Sequence, residues 1–431
     1  MFNKSIIILA AGAGTRMKSD TPKVLHKISG KPMLYYSIKE ALKLSDDITV
    51  VLFHQASRVQ AEMEKYFSNI NFVIQDHANY PGTGGAVMGI KPKYEEVLVL
   101  NGDMPLIQAE ELKKFDLDAT IVMSVLELES ADGYGRIIIE NGNVRKIVEQ
   151  KDATEAELAI TTANAGIYQF ETKFLLENLP KLNNSNAQKE YYITDLIEMA
   201  IEQGKVLKPL VVNEENFKGV NSKVELADAE VIHQNRIKKE FLKAGVIMRL
   251  PDTIYIEEGV QIEGESIIEN GVSLLGNSKI VNSHIKTNSV VEDSIVVDSD
   301  VGPMGRIRPG SELNKTHIGN FVETKKAILN GVKAGHLSYL GDCSIDEGTN
   351  IGCGTITCNY DGVNKHQTII GKNVFVGSDT QFVAPVNIED DVLIGAGSTV
   401  TGDVKKGELY LTRAKAKTIS GYFYKHFSSK K

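Results

Sequence analysis

Two stretches near the N-terminus hold the residue types that handle phosphate. Leu9-Ala10-Ala11-Gly12-Ala13-Gly14-Thr15-Arg16-Met17 follows an apolar run and precedes Pro22-Lys23-Val24-Leu25. Small residues at a strand-to-helix turn let backbone N–H groups approach phosphate oxygens, and Arg16 and Lys23 supply countercharge. The spacing lacks the third glycine of a dinucleotide fingerprint and the Gly-Lys-Ser/Thr of a P-loop, which argues against a nicotinamide dehydrogenase. The second stretch, Val99-Leu100-Asn101-Gly102-Asp103-Met104-Pro105-Leu106, sets an acid just past the end of an apolar strand. In open α/β sheets that edge faces the ligand crevice. Asp103 among phosphates is a natural Mg²⁺ ligand, although an Asp there could equally cap a helix.

A third set of chemistry-bearing residues lies far downstream, in Arg306-Ile307-Arg308-Pro309-Gly310, Asn320 to Lys326 and Lys333 to Asp342. Arg and Lys converging on one place suit a phosphorylated sugar. His336, within Lys333-Ala334-Gly335-His336-Leu337-Ser338-Tyr339-Leu340-Gly341-Asp342, is a candidate general base, because His is the side chain best tuned for proton abstraction near neutral pH. The three cysteines, Cys343, Cys353 and Cys358, are an odd number without a CxxC pair. They read as reduced and structural, which excludes a disulfide framework and a zinc site.

The elements that must carry these residues differ between the two halves. In the first, Ser5 to Ala10, Thr49 to Phe53, Asn71 to Gln75, Glu96 to Asn101 and Thr120 to Val125 are short, strand-like and rich in Ile and Val. Between them, Met33 to Leu44 and Arg58 to Phe67 carry apolar residues at helical spacing, so βαβ units and a layered α/β domain over 1–221 are expected. Ser222 to Lys243 has no Gly or Pro and stops before Gly245, which predicts one linker helix over 222–245 closed by a glycine C-cap.

From 246 to 431 the texture changes. Ile256, Ile262, Ile268, Leu274 and Ile280 recur every six residues, as do Ile370, Val376, Phe382, Ile388, Ile394 and Val400. That period fits neither a helix nor a hairpin; it is the signature of a parallel β-helix whose coil takes about three hexapeptides. The period breaks near Pro303 to Pro309 and at Asn359 to His366, so both segments are expected to loop out of the coils.

Composition bounds the partners. The 431-residue chain is 42% hydrophobic and 24% charged, with a formal net charge of -8 and scattered basic residues. A folded multidomain protein is expected, and neither nucleic acid nor membrane as a partner. Ile6 to Ala11 is too short to span a bilayer and lacks a signal-peptide cleavage site, which places the protein in the cytoplasm.

The string LAAGxGTRM with its downstream PKxL resembles the nucleotidyltransferases that join sugar 1-phosphates to nucleoside triphosphates. With Gln75, Gly82-Thr83, Gly133-Tyr134-Gly135-Arg136-Ile137, Val148 to Ala153, Asn164-Ala165-Gly166, the KAGHLxYLGD stretch and Thr355 to Gly362, the whole chain resembles the bacterial bifunctional N-acetylglucosamine-1-phosphate uridyltransferase/glucosamine-1-phosphate acetyltransferases. The resemblance implies a Rossmann-like nucleotidyltransferase domain with a mostly parallel sheet, and a C-terminal left-handed parallel β-helix. For UTP and UDP-N-acetylglucosamine it implies contacts from Leu9, Ala10, Ala11, Gly12, Arg16, Lys23, Gln75, Gly82, Thr83, Gly135, Glu149, Asn164 and Asn221. It gives Asp103 and Asn221 as the Mg²⁺ ligands.

In the second half the resemblance implies that His336 is the catalytic base. Arg308, Lys325, Tyr339, Asn350 and Lys365 would bind the sugar phosphate, and Cys353, Asn359, Tyr360, Ser378, Ala396 and Arg413 would line an acetyl-CoA groove. It also implies a homotrimer whose clefts draw on adjacent chains. Lys325 and His336 stand one residue closer than in typical relatives, through a deletion near Asn330 that is expected to trim a turn. The alternative is a sugar-1-phosphate nucleotidyltransferase whose β-helix is only an oligomerisation scaffold.

Overall fold

A computed structural model of the chain describes residues 3–12, 14–131, 135–148, 153–186 and 188–427. They divide into two compact units, Met1–His233 and Gln234–Lys431.

In the first unit the strand-like runs form one nine-stranded sheet. Its main order is Leu207–Val211, Ile121–Glu127, Thr162–Glu171, Glu96–Asn101, Lys4–Ala10, Ile48–Leu52 and Asn71–Ile74. Lys4–Ala10 pairs in parallel with both Glu96–Asn101 and Ile48–Leu52, so the chain crosses from one side of the first strand to the other. Both faces of the sheet are covered. Ile6 and Ile8 enter one buried cluster with Leu34, Ile38 and Leu98, whereas Ile7 enters another with Ala86, Val87 and Phe170. This is why these strands read as continuous apolar runs rather than alternating ones.

The predicted helix from Met33 spans Met33–Leu42, and the next spans Ala56–Met63. Thr162–Glu171 runs antiparallel to both of its main neighbours, and Arg136–Glu140 with Asn143–Val148 adds an antiparallel hairpin. Neither follows from a βαβ pattern, because a strand placed by tertiary pairing carries no periodic signal of its own.

In the second unit, each inward residue of the repeat stacks on its counterpart one coil later. Ile256, Ile268, Leu274, Ile280, Val376, Phe382, Ile394 and Val400 are fully buried in one continuous cluster. Each large inward side chain contributes on the order of 1.5–3 kcal/mol by burial. Tyr255 pairs with Ser273 and Thr368 with Val386, eighteen residues on in each case, which is three hexapeptides per coil.

The two interruptions differ in kind. Pro303 to Pro309 does not loop out: Ile307 is fully buried, pairs with Val291, and is flanked by Arg306 and Arg308 in a strand that continues the ladder. The inward column there runs Ile280, Ile285, Val291, Val296, Val301 and Ile307, so some sides have shortened to five residues while the stack stays in register. A shorter corner costs the coil nothing inward, which is why the period breaks without an excursion. Asn359 to His366, by contrast, does leave the coil. Asn350 pairs with Phe375, twenty-five residues on, and the extra residues form a small hairpin closed by a Tyr360–Lys365 bridge.

The linker helix spans Lys223–Lys243 and is followed by Gly245 at φ +97.

Candidate active sites

The strand Lys4–Ala10 ends in a turn whose Gly14 has φ +62. A side chain at Gly14 would meet the Lys23 Cβ at 2.5 Å, so this glycine is required both by its conformation and by the approach of Lys23. The segment Lys23–Leu25 forms a single 3₁₀ turn that projects the Lys23 ammonium to the Asp103 carboxylate at 2.5 Å and to Asn221 Oδ1 at 3.0 Å. Gly102 donates to the Leu9 carbonyl at 2.8 Å, and a side chain there would meet Leu34 and Ala10 at 3.0 and 3.1 Å. The glycine thus lets the strand end carrying Asp103 press against the first strand.

Leu9, Ala11, Gly12, Lys23, Gln75, Gly82, Thr83 and Asp103 line one cavity of about 420 Å³. Gln75 donates both amide hydrogens, to the carbonyls of Tyr80 at 2.9 Å and Gly82 at 3.0 Å. Those partners can only accept, so the amide orientation is fixed and its oxygen is left as an acceptor.

Ala10 is buried behind the cavity wall, and the exposed Arg16 does not line it. Asn164 accepts from the Gly166 N–H at 2.9 Å and donates to the Tyr168 hydroxyl at 2.7 Å. Gly135 is half-buried just before the strand Arg136–Glu140. Glu149 lies outside the described residues, as do Gly133 and Tyr134.

Sequence reasoning missed four lining residues, Phe53, His77, Ala86 and Glu190. Glu190 arrives through long-range pairing, with Tyr191 N–H on the Pro81 carbonyl and Gly84 N–H on the Tyr191 carbonyl, both at 2.8 Å. Phe53 and His77 each follow a strand end, and that position was the available signal.

The second site lies on two faces of the β-helix. Along one face, His336, Asn350, Cys353, Ser378, Ala396 and Arg413 line a groove of about 620 Å³. Arg413 Nε donates to the Ala396 carbonyl at 3.0 Å and closes its end. His336 ends the strand Lys333–His336 opposite Asn320 and is exposed, with no hydrogen bond to its ring among the described residues.

Arg308, Lys325 and Tyr339 lie on the other face, where Arg306, Glu323, Tyr339 and Ile356 pair in succession. Glu323 accepts from the Arg308 guanidinium at 2.6 Å and raises its pKa above the ordinary value. The Lys365 amine beside Lys325, and then the Lys365 charge, push the Lys325 pKa below that of an ordinary lysine. The Asp342 carboxylate acts on Lys325 in the opposite direction but does not outweigh the neighbouring cations, and two amines held this close suit an anion.

Asn359 and Tyr360 do not line the groove. Asn359 donates to the Asp342 carboxylate, and Tyr360 is exposed on the hairpin with its hydroxyl on the Gly362 carbonyl at 2.5 Å. At the turn around Gly331, where a deletion is expected, the coils repeat every sixteen residues, His317 pairing with Lys333.

A crossover α/β layer with a phosphate turn, followed by stacked hexapeptide coils with a basic cleft, defines a nucleotidyltransferase joined to a hexapeptide-repeat acyltransferase. Residues 6–116 match the MobA-like NTP transferase domain, and 367–402 match the bacterial transferase hexapeptide (six repeats). The chain is 91% identical over 431 residues to the bifunctional protein GlmU of Aliarcobacter butzleri, covering all of both chains. It is 63% identical over 430 residues to that of Wolinella succinogenes, again covering all of both. The chain belongs to the GlmU family, and it is a bifunctional uridyltransferase and acetyltransferase. The hexapeptide match makes the C-terminal coils those of a left-handed β-helix.

Proposed function

We propose that residues 246–431 transfer acetyl from acetyl-CoA to glucosamine 1-phosphate, and that residues 1–221 then transfer uridylyl from UTP to the N-acetylglucosamine 1-phosphate formed, releasing pyrophosphate. The segment 222–245 links the two. The observation that carries the second step is the Lys23–Asp103–Asn221 cluster, which opens onto the cavity of the phosphate turn.

The Lys23 ammonium bridges the Asp103 and Asn221 oxygens as a cation would, and hard oxygen donors of this kind fit Mg²⁺. No three His, Cys, Asp or Glu side chains among the described residues are grouped to hold a metal alone, so substrate phosphates would complete the shell. When bound by Asp103 and Asn221, Mg²⁺ would neutralise charge on the transferring phosphates. Lys23 then turns to the triphosphate, backbone N–H groups of the turn at Gly12 hold its oxygens, and Gln75 presents its oxygen to the uracil N3–H. No protein nucleophile is required, because the sugar phosphate itself attacks the α-phosphorus.

In the β-helix, His336 Nε2 or Nδ1 takes the proton from the 2-amine of glucosamine 1-phosphate as it attacks the thioester. Arg308, Lys325 and Lys365 hold the sugar phosphate, with Tyr339 and Asn350 beside it. Cys353, Ser378, Ala396 and Arg413 line the acetyl-CoA groove, and Asn359 and Tyr360 complete it from a neighbouring chain. The separation of Asn359 and Tyr360 from the groove within one chain supports a homotrimer with shared clefts. No described helix is long and apolar enough to cross a membrane, and the reading places the enzyme in the cytoplasm, without nucleic-acid or membrane partners. A coupled assay tests it: glucosamine 1-phosphate, acetyl-CoA, UTP and Mg²⁺ should yield UDP-N-acetylglucosamine, CoA and pyrophosphate, and absence of either intermediate activity would refute the corresponding half.

A further inference from the structure

The nucleotide cavity ends in two aromatic rings that the phosphate chemistry does not use. Phe53 follows the strand Ile48–Leu52, and His77 lies three residues beyond Asn71–Ile74. In the sheet order these strands lie successively farther from Glu96–Asn101, after which Asp103 stands. The two rings stack with centroids 4.2 Å apart and planes within 7°. The same lining includes Ala11, Gly12, Gly82 and Ala86, small residues that take up little of the cavity.

One face of each ring covers the other, which leaves the outer faces. Phe53 is 42% exposed although a phenyl ring gains by burial, and no hydrogen bond to the His77 ring nitrogens is made among the described residues. A cavity lined by Lys23 and Asp103, by small residues and by a planar aromatic pair has the polarity of a nucleoside triphosphate. Gln75 lies in the same lining, and its oxygen, which can only accept, suits the N3–H of a uracil.

We propose that Phe53 and His77 form the nucleobase platform of the uridyl-transfer site. The uracil ring stacks on the outer face of this pair, which sets affinity for the base while the Lys23 end holds the triphosphate. The inference rests on the uridyl-transfer reading of the site and names two specificity-determining residues within it.

The test is steady-state uridyl transfer by Phe53→Ala, His77→Ala and His77→Phe, with inorganic tripolyphosphate as a competing ligand that lacks a base. Acetyl transfer in the same samples reports folding of the preparation. Base–aromatic stacking predicts a rise in the UTP KM of about 5- to 150-fold for Phe53→Ala, a smaller rise for His77→Ala, and kcat within about 3-fold. His77→Phe keeps a stacked ring and should return the KM to within about 3-fold of the unsubstituted enzyme. Tripolyphosphate inhibition should be unchanged in all three. An unchanged UTP KM in both alanine variants would overturn the platform, and so would a parallel loss of tripolyphosphate affinity, which would show that the rings only shape the pocket. If the unsubstituted enzyme transfers no uridylyl group, the uridyl-transfer reading fails. UTP against tripolyphosphate affinity, measured by calorimetry on the same variants, then still decides the platform.

Discussion

The two sites are built on opposite plans. In the α/β unit, Lys23, Asp103 and Asn221 already bond to one another, and the cavity is walled by strand ends from a single chain. In the β-helix unit, His336 is exposed, the Lys325 and Lys365 amines lie beside each other, and the residues expected to hold acetyl-CoA divide between a groove and the hairpin that carries Tyr360. The difference follows from architecture. A crossover in a parallel sheet makes a crevice at its own strand ends, whereas the coils of a β-helix present long, shallow faces, and the groove of His336 runs along one of them. A pre-paired site is expected to fail when a partner is removed, and an open one when a neighbour is.

The sharpest break of this comparison is Asp103→Asn. It removes the negative oxygen that Lys23 holds and that is proposed to hold Mg²⁺, and should lower uridyl transfer by about 10³-fold or raise the Mg²⁺ requirement steeply. Normal Mg²⁺ dependence would make Asp103 a structural residue. His336→Ala should cut acetyl transfer by about 10²- to 10⁴-fold and leave uridyl transfer nearly unchanged; equal loss of both activities would contradict independent sites.

Complementation probes the open plan directly. Lys325→Ala and Asn359→Ala chains, each poor alone, should recover about a quarter of the unsubstituted acetyl transfer when refolded together as mixed trimers, since random assembly places both intact contributions in that share of clefts. Activity no higher than the mean of the two variants, with subunit exchange confirmed, would place each cleft within one chain.

The smallest effect concerns the frame. Hydrogen bonding from the Thr287 hydroxyl, then burial against it, then the Thr287 N–H and His284, leaves the Glu269 pKa lowered to about 2. A depressed carboxylate stabilises the fold above its unfolded pKa and loses that contribution as pH falls through the folded value. The melting temperature of the β-helix should therefore drop by a few degrees between about pH 4.5 and pH 2 beyond what Glu269→Gln shows, after allowance for solvent screening. Equal acid sensitivity of the two proteins in thermal melts would remove Glu269 from the account.

The legible parts of the molecule were those with local signatures. The small-residue turn at Gly12, the strand-end acid Asp103 and the six-residue repeat each depend on residue types at fixed spacing, and each stands where that spacing puts it. The excursion at Asn359 to His366 was legible because an insertion adds polar residues. The segment Pro303 to Pro309 was misread as an excursion, since sides shortened to five residues in the preceding coils shift the period just as an added loop does. Glu190 could not be assigned from its own neighbourhood, because pairing across more than a hundred residues brings it to the cavity; Phe53 and His77 each follow a strand end, but only the folded sheet brings those two ends together.

By itself the sequence determined the two architectures and the small-residue turn at Gly12, because hydrophobic period and turn chemistry are local properties of the chain, and it named His336 as a candidate base by residue type and motif. Only the tertiary structure decided which way the Gln75 amide points, that Lys23 rests between Asp103 and Asn221, and that Asn359 and Tyr360 stand apart from His336's groove. Hydrogen-bond orientation and the meeting of remote side chains depend on distances through space, and sequence spacing fixes those only within a single element.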